Sequence, residues 1–189
     1  TVLGTAPVNS GSASITTTSL PVGSANPITA TYNGNTNYNA ASASTTRAVT
    51  KASPSSAVTS SSNPATYGAT ITFTDTLPTS VTGTVTFTAG ATVLGTSNVV
   101  NGVATISSST IAVGNTTITA TYNGDGNFTG STSACEPFHV NTAASWTATE
   151  LHSDANAAVI ALDSSVALGT SVHDKATVTG TLLGGTPTG

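Results

Sequence analysis

The stretch that decides the fold reads Ile118-Thr119-Ala120-Thr121-Tyr122-Asn123-Gly124. The same seven residues occur at 28–34, and Thr92-Val93-Leu94-Gly95-Thr96 recurs at 1–5. The second copy starts 90 residues earlier in the first case and 91 residues earlier in the second, so one residue is gained or lost near Gly23–Pro27. A period of about 90 residues, filled with short stretches that alternate apolar and polar side chains, predicts tandem β-domains.

The repeat that the sequence contains as a whole runs over residues 52–140. Apolar side chains recur there at every second position, most clearly in Ala69–Thr74 and Thr84–Thr88, and no stretch has helical periodicity. Turn signals such as Asn101-Gly102 separate these stretches. The pattern predicts an antiparallel sandwich of about seven strands. We expect the following side chains to lie in its core: Ile71, Phe73, Val85, Phe87, Ile106, Ile118 and Tyr122.

Two partial units flank this repeat. Residues 1–45 are predicted to form the C-terminal half of a β-domain, and residues 141–189 the N-terminal half of another. Thr45–Pro54 is predicted to be a linker into the complete unit. The last residues, Thr188-Gly189, correspond to Thr82-Gly83 of the complete unit, so the two partial units are expected to be complementary halves.

Alternation also predicts strands within the partial units. Ser12–Thr17 places Ala13 and Ile15 on one face, and the next strand, after a turn at Gly23–Pro27, turns Ile28, Ala30 and Tyr32 inward. In the last unit, the sequence predicts a strand over Trp146–Leu151. Gly169–Thr179 matches the strand around Gly68–Phe73, and a longer loop follows at Leu182–Pro187.

The charge content excludes several classes of partner. Charged residues make up only 5% of the 189 residues, and three Lys and Arg against seven Asp and Glu give a net charge of −4. Without a basic patch, neither nucleic acid nor an anionic membrane surface is an expected partner. No apolar run is long enough to span a bilayer. A surface built of Thr, Ser, Asn and Gly is typical of secreted proteins, so we expect a secreted, extracellular or cell-surface location.

Several blocks carry a family resemblance: Gly83–Phe87, Val93–Gly95, Gly102–Thr105 and Ile118–Phe128. In these blocks the chain resembles the tandem bacterial Ig-like domain repeats of group 3, which occur in large secreted and surface proteins. The first unit departs from the pattern at 35–38, where it lacks the aspartate found at 125. The resemblance implies an all-β fold of tandem immunoglobulin-like antiparallel β-sandwiches, one complete and two partial, with no catalytic residues.

The three histidines are the candidates for acid–base chemistry near neutral pH. His139, His152 and His173 stand without a nucleophile motif, and His173 and Asp174 would point to opposite faces of a strand. Cys135 with His139 supplies only two of the four ligands of a zinc site. Cys135 itself is expected to be a small buried residue, with an intermolecular disulfide as the alternative. We therefore predict no enzyme activity and no catalytic, cofactor-binding or metal-binding residues.

The loop Asn123-Gly124-Asp125-Gly126-Asn127 is rich in oxygen atoms but contains a single carboxylate. A calcium site uses six to eight oxygen ligands and usually several carboxylates, so we expect a turn here. Tyr122, and Tyr32 at the same place in the first unit, are expected to belong to the core, because aromatic residues at 5% are too few to form a sugar-binding platform. No cofactor is expected.

These observations predict a structural repeat of an extracellular bacterial filament or surface stalk. Its partners would be copies of itself or neighbouring repeats of the same chain, with residues 1–45 and 146–189 of neighbours forming a composite domain. The alternative is an adhesin module that binds a glycan or a cell-surface protein. Exposed edge strands with few Lys residues also predict self-association.

Overall fold

The structure is a computed structural model, which describes residues 1–161 and 164–180. All thirteen regular elements in these residues are β-strands. The predicted all-β class is therefore confirmed. The predicted loop at Leu182–Pro187 and the end at Thr188-Gly189 lie outside the described residues.

The central part of the chain, residues 57–141, forms two sheets packed face to face. The smaller sheet has the order β3-β5-β8, and the larger has the order β4-β11-β9-β6-β7 with β10 also paired to β9. The strands of this sandwich are β3 (Ala57–Ser60), β4 (Ala65–Thr66), β5 (Ile71–Thr76), β6 (Thr84–Ala89), β7 (Thr92–Asn98), β8 (Val103–Ser108), β9 (Gly114–Tyr122), β10 (Ser131–Thr132) and β11 (Glu136–Asn141).

The sandwich core forms because every second residue of the central strands faces the other sheet. In β9, Ile118, Ala120 and Tyr122 are buried while the Thr residues between them are not. Phe73 of β5 meets Phe138 of β11 edge to face, with ring centroids 5.3 Å apart, and this contact joins the two sheets. Six of the seven predicted core residues are buried: Ile71, Phe73, Val85, Phe87, Ile118 and Tyr122.

Ile106 is the exception, since it is only half-buried. It lies in β8, an edge strand of the smaller sheet. Its neighbour across the gap is Gly95, where an added Cβ would stand 2.6 Å from Ile106 Cδ1. The Ile106 side chain therefore fills the space above Gly95, and its position in an edge strand leaves it at the margin of the core.

After Asn127-Phe128 the chain forms two strands in place of one continuous strand. Two short strands, β10 and β11, follow one another along the same edge of β9. Ser131 pairs with Tyr122 and Glu136 with Ile118, so this edge contains one more residue than the β9 segment opposite. The surplus falls between Ser133 and Cys135, and it interrupts the ladder. Cys135 is exposed there, which corrects the expectation that it is buried.

The first unit forms a hairpin of β1 (Gly23–Tyr32) and β2 (Ala41–Val49). The predicted turn at Gly23–Pro27 lies inside β1, where the pairing is irregular between Gly23 and Asn26. This irregularity accommodates the extra residue that the two sequence offsets indicate. β2 also extends to Val49, so the predicted linker over Thr45–Pro54 begins too early.

No strand forms over Ser12–Thr17, where alternation predicts one. The corresponding strand of the sandwich, β8, has β5 as its ladder partner. The first unit contains no counterpart of β5, so residues 12–17 have nothing to pair with. The tight turn before them is nevertheless the same in both units. Ser10 and Gly11 have φ of 49° and 79°, and Asn101 and Gly102 have 51° and 79°.

The last unit is a second hairpin, of β12 (Ser145–Ser153) and β13 (Val172–Gly180). The predicted strand over Trp146–Leu151 is confirmed as the central part of β12. Gly169 has a φ of 88° three residues before β13, and Gly68 has 83° three residues before β5. The correspondence of these two glycines aligns β13 with β5.

Candidate assembly interface

The Asp125 loop at one end of the sandwich is a turn whose carboxylate is fully engaged. Asp125 Oδ1 accepts the backbone N–H groups of Asn127 and Phe128 at 2.7 and 2.8 Å. Oδ2 accepts the hydroxyl and the backbone N–H of Thr82 at 2.7 and 3.0 Å. These bonds, led by the Thr82 hydroxyl, hold the pKa of Asp125 well below its usual range. Each carboxylate oxygen accepts two hydrogen bonds, so the carboxylate stabilises the turn.

Tyr122 lies beneath this loop, fully buried, as the sequence predicts. Burial, together with the nearby Asp125 carboxylate, raises the pKa of Tyr122 to about 12. Tyr32 at the same place in the first unit is only half-buried. The difference has a simple cause, because Tyr32 has no second sheet against it.

The first unit contains the same turn with asparagine in place of aspartate. Asn35 Oδ1 accepts the N–H groups of Asn37 and Tyr38, both at 2.9 Å. The glycines that precede the two turns also match, since Gly34 has a φ of 80° and Gly124 a φ of 86°. An added Cβ would meet backbone atoms at 2.8 Å from Gly34 and at 3.1 Å from Gly124. Tyr38, however, is 70% exposed, whereas its counterpart Phe128 packs against the core.

The segment before the sandwich is fastened to the Asp125 loop. The Ala52 N–H donates to the Asn127 carbonyl at 3.0 Å, and the Thr129 N–H donates to the Ala52 carbonyl at 2.8 Å. Lys51 Nζ donates to the Asp125 carbonyl at 2.6 Å. The residues that follow β2 are thereby held against the complete domain.

Both terminal hairpins leave the face that would form a core open to solvent. On β1, Ile28 and Tyr32 are only half-buried, while their counterparts Ile118 and Tyr122 are completely buried. On the second hairpin, Leu151 is 41% exposed, and Val172 and Val178 are similarly exposed. Each hairpin therefore has the side-chain pattern of half a sandwich without the opposing half.

The two hairpins correspond to different sheets. β1 and β2 match β9 and the β10–β11 edge, which belong to the larger sheet. β12 and β13 match β3 and β5, which belong to the smaller sheet. In the complete domain these two pairs of strands face each other across the core.

Residues 58–142 match the family model of the bacterial Ig-like domain, group 3. This part of the chain is an Ig-like domain. The match covers somewhat less than half of the chain and does not extend to either terminal hairpin. The comparisons with curated proteins and with solved structures returned no match. Ig-like domains of this group are generally not enzymes and are often found outside the cell or on its surface. Within the described residues, no helix is long and apolar enough to cross a membrane.

A cluster of ionisable side chains lies outside the Ig-like domain, on the β12–β13 hairpin. The His152 and His173 rings stack with centroids 5.5 Å apart, and His173 Nδ1 contacts a carboxylate oxygen of Asp154. Ser171 donates to the other oxygen of Asp154. The hydrogen bond from Ser171 has the largest effect in lowering the pKa of Asp154, and the contact with His173 lowers it as well. Both groups bind the carboxylate rather than each other, so the serine has no adjacent base and the cluster lacks the order of a hydrolytic triad.

The sequence places His173 next to Asp174 and does not predict the contact of His173 with Asp154. The sequence signal is the alternation of Glu150, His152 and Asp154, which puts Glu150 and His152 on one face of β12 and Asp154 in the turn that directly follows the strand. The register that brings His173 opposite His152 is a property of the folded hairpin. Among the residues that the structure describes, no group of three or more His, Cys, Asp or Glu side chains could hold a metal ion.

His139 lies in an open groove at the β9–β11 edge of the Ig-like domain. The groove has a volume of about 510 Å³ and is lined in part by Asn63, Asn115 and Pro137. Its polar groups bind one another: His139 Nδ1 lies 2.7 Å from Asn115 Oδ1, and Asn63 Nδ2 donates to the Pro137 carbonyl at 2.7 Å. The groove has no exposed aromatic side chain, so it offers little to a sugar ring.

Removal of divalent metal is expected to leave the melting temperature of the Ig-like domain unchanged, because both carboxylate oxygens of Asp125 already accept hydrogen bonds from protein groups. Asp125→Ala should lower the melting temperature, and Asp125→Asn should lower it less, since Asn35 supports the same turn. The contribution of Asp125 is present above the ordinary aspartate pKa of about 4 and is lost as pH falls below it, because folding lowers this pKa. Calorimetry with and without EDTA checks the expectation about metal, and a drop in melting temperature that calcium restores would contradict it.

Proposed function

We propose that this protein is a structural repeat of an extracellular bacterial filament or surface stalk. The observation that carries the proposal is the pair of open hairpins, each resembling one sheet of the Ig-like domain. In the proposed assembly, the first hairpin of one copy or repeat lies against the last hairpin of its neighbour. The composite sandwich formed in this way would join successive Ig-like domains head to tail.

The strand that fails to form in the first unit also supports this arrangement. Residues 12–17 correspond to β8, whose ladder partner is β5, and the counterpart of β5 is β13 of the last unit. A neighbour's β13 would therefore offer residues 12–17 a strand to pair with. Addition of a strand across an interface is a known way to complete a sheet.

The fastened linker supports a mechanical role. Lys51 and Ala52 form hydrogen bonds to the Asp125 loop. Tension applied to the first unit would therefore be transmitted to the Ig-like domain through this hydrogen-bonded segment. The equivalent loop of the first unit has Tyr38 exposed where Phe128 is covered. In a composite domain this loop would receive the segment that follows β11 in the neighbour. Heterologous contacts of this kind, repeated without closure, produce fibres.

Sedimentation velocity tests the proposal. We expect the chain to form species larger than a monomer in a concentration-dependent manner, whereas a variant that lacks residues 1–49 stays monomeric. The variant retains the complete sandwich and the last hairpin, so it is a matched control for non-specific association of edges. A strictly monomeric chain at high concentration would contradict the proposal.

The mass of the native material separates two forms of the assembly. A mass near 18.3 kDa indicates that separate copies associate, and a much larger mass indicates neighbouring repeats in one covalent chain. The alternative function, an adhesin, predicts binding on a glycan array by the isolated chain. For the structural repeat, we expect no such binding.

A further inference from the structure

One contact of the Ig-like domain has an unusual counterpart in the terminal hairpins. Phe73 and Phe138 join the two sheets of the sandwich, with ring centroids 5.3 Å apart. Both side chains are almost completely buried. The residues at the corresponding positions of the terminal hairpins are charged, and their charges are opposite.

The counterpart of Phe138 is Arg47, as the strand register shows. Val49 pairs with Gly23 and Arg47 with Asn26 in the first hairpin. Val140 pairs with Gly114 in the Ig-like domain, and Phe138 lies two residues before it, as Arg47 lies two before Val49. Arg47 therefore lies on the same face as Ile28 and Tyr32. It is the only arginine of the chain.

The counterpart of Phe73 is Asp174. Gly68 lies five residues before Phe73, and Gly169 lies five residues before Asp174, with the same backbone conformation. Asp174 pairs with Leu151, so both lie on the face of the last hairpin that includes Val172 and Val178. Asp174 and Arg47 are both exposed, and neither forms an ion pair with another described residue.

Each open face thus carries one charged side chain at the place where the Ig-like domain has a core phenylalanine. An unpaired charge in a core is strongly unfavourable, but two opposite charges at facing positions compensate each other. A contact between two like hairpins would instead bring arginine to arginine or aspartate to aspartate. Charge therefore favours contact between unlike hairpins and disfavours contact between like ones.

Building on the proposed composite domain, we propose that Arg47 of one copy forms an ion pair with Asp174 of a second copy. The pair replaces the Phe73–Phe138 contact in the core of that domain. It sets the polarity of the assembly, because only head-to-tail contact joins opposite charges. The remaining apolar residues of the two faces supply the buried area, and the pair determines which faces meet.

Charge reversal in the full chain tests this pair. Arg47→Glu places two carboxylates at the interface, and Asp174→Lys places two cations there, so each variant alone should lose self-association. We expect the dissociation constant to rise by at least about a hundredfold in sedimentation velocity. An equimolar mixture of the two variants restores opposite charges at every contact, so it should assemble with nearly the affinity of the original chain.

The mixture also serves as the control, because its components are the same two proteins that fail alone. If the original chain assembles and both variants assemble equally well, the ion pair is wrong while the composite domain stands. If the variants fail and the mixture fails as well, the pairing of these two residues is likewise wrong. If the original chain itself stays monomeric, the composite domain fails and the ion pair fails with it.

Discussion

Phe87→Ala should lower the free energy of unfolding of the Ig-like domain by about 3–5 kcal/mol. Phe87 has no exposed surface and lies in β6, the strand between β7 and β9 of the larger sheet. Truncation removes most of a buried aromatic ring and leaves a cavity that the flanking β-ladders cannot close by moving together. Denaturant unfolding of the two proteins, with unchanged dependence on denaturant concentration, measures the loss.

Phe128→Ala is the matched control for this substitution. The chemical change is identical, but Phe128 lies at the margin of the core and is half-buried. A smaller loss is expected, because the ring is already partly solvated and its removal opens no enclosed cavity. If both substitutions cost the same, the burial of Phe87 does not determine its contribution.

The sequence predicts the interior of the sandwich well because alternation and burial follow the same period. Ile118, Ala120 and Tyr122 are buried in the structure, and the repeat of this stretch at 28–34 locates a second strand of the same kind. The Asp125 turn is predicted for a related reason. Gly124 has a φ of 86° there, a conformation that glycine adopts more readily than other residues.

The features that the sequence does not predict depend on partners that are distant in the chain. Alternation over Ser12–Thr17 resembles that of β8, yet no strand forms there without a counterpart of β5. Ile106 has the pattern of a core residue and is only half-buried, because β8 is an edge strand of the smaller sheet. Alternation tells which side chains share a face, and the register and the neighbouring strand determine what covers that face.

The charges at Arg47 and Asp174 belong to the same category. In the sequence, each is one polar residue within a strand that is rich in Thr and Ser. Only the pairing of Arg47 with Asn26 and of Asp174 with Leu151 shows that both lie on faces whose counterparts form a core. The contrast with the buried Phe73 and Phe138 is what supports the proposed ion pair.

Asp75→Asn should stabilise the Ig-like domain at neutral pH by about 1–2 kcal/mol. Asp75 has no exposed surface, and it lies on the core face of β5. Ser56 donates to its Oδ1 at 2.8 Å, while Oδ2 has no hydrogen-bond partner among the described residues. Burial raises the pKa of Asp75, and hydrogen bonds from Ser56 and from the amides of Thr76 and Ala57 oppose this in part.

The pH dependence gives the sharper test. Because folding raises the pKa of Asp75, the folded state binds the proton more tightly than the unfolded state does. The protonated carboxyl therefore favours folding below about pH 4, and this advantage is lost as pH rises through the folded-state pKa. The advantage of Asp75→Asn over the original chain should accordingly grow from pH 4 towards neutral pH. Ser56→Ala removes the main hydrogen bond that lowers the pKa of Asp75, so the stability lost between pH 4 and neutral pH should be larger in this variant. Equal pH profiles for all three proteins would show that Asp75 does not titrate as a buried acid.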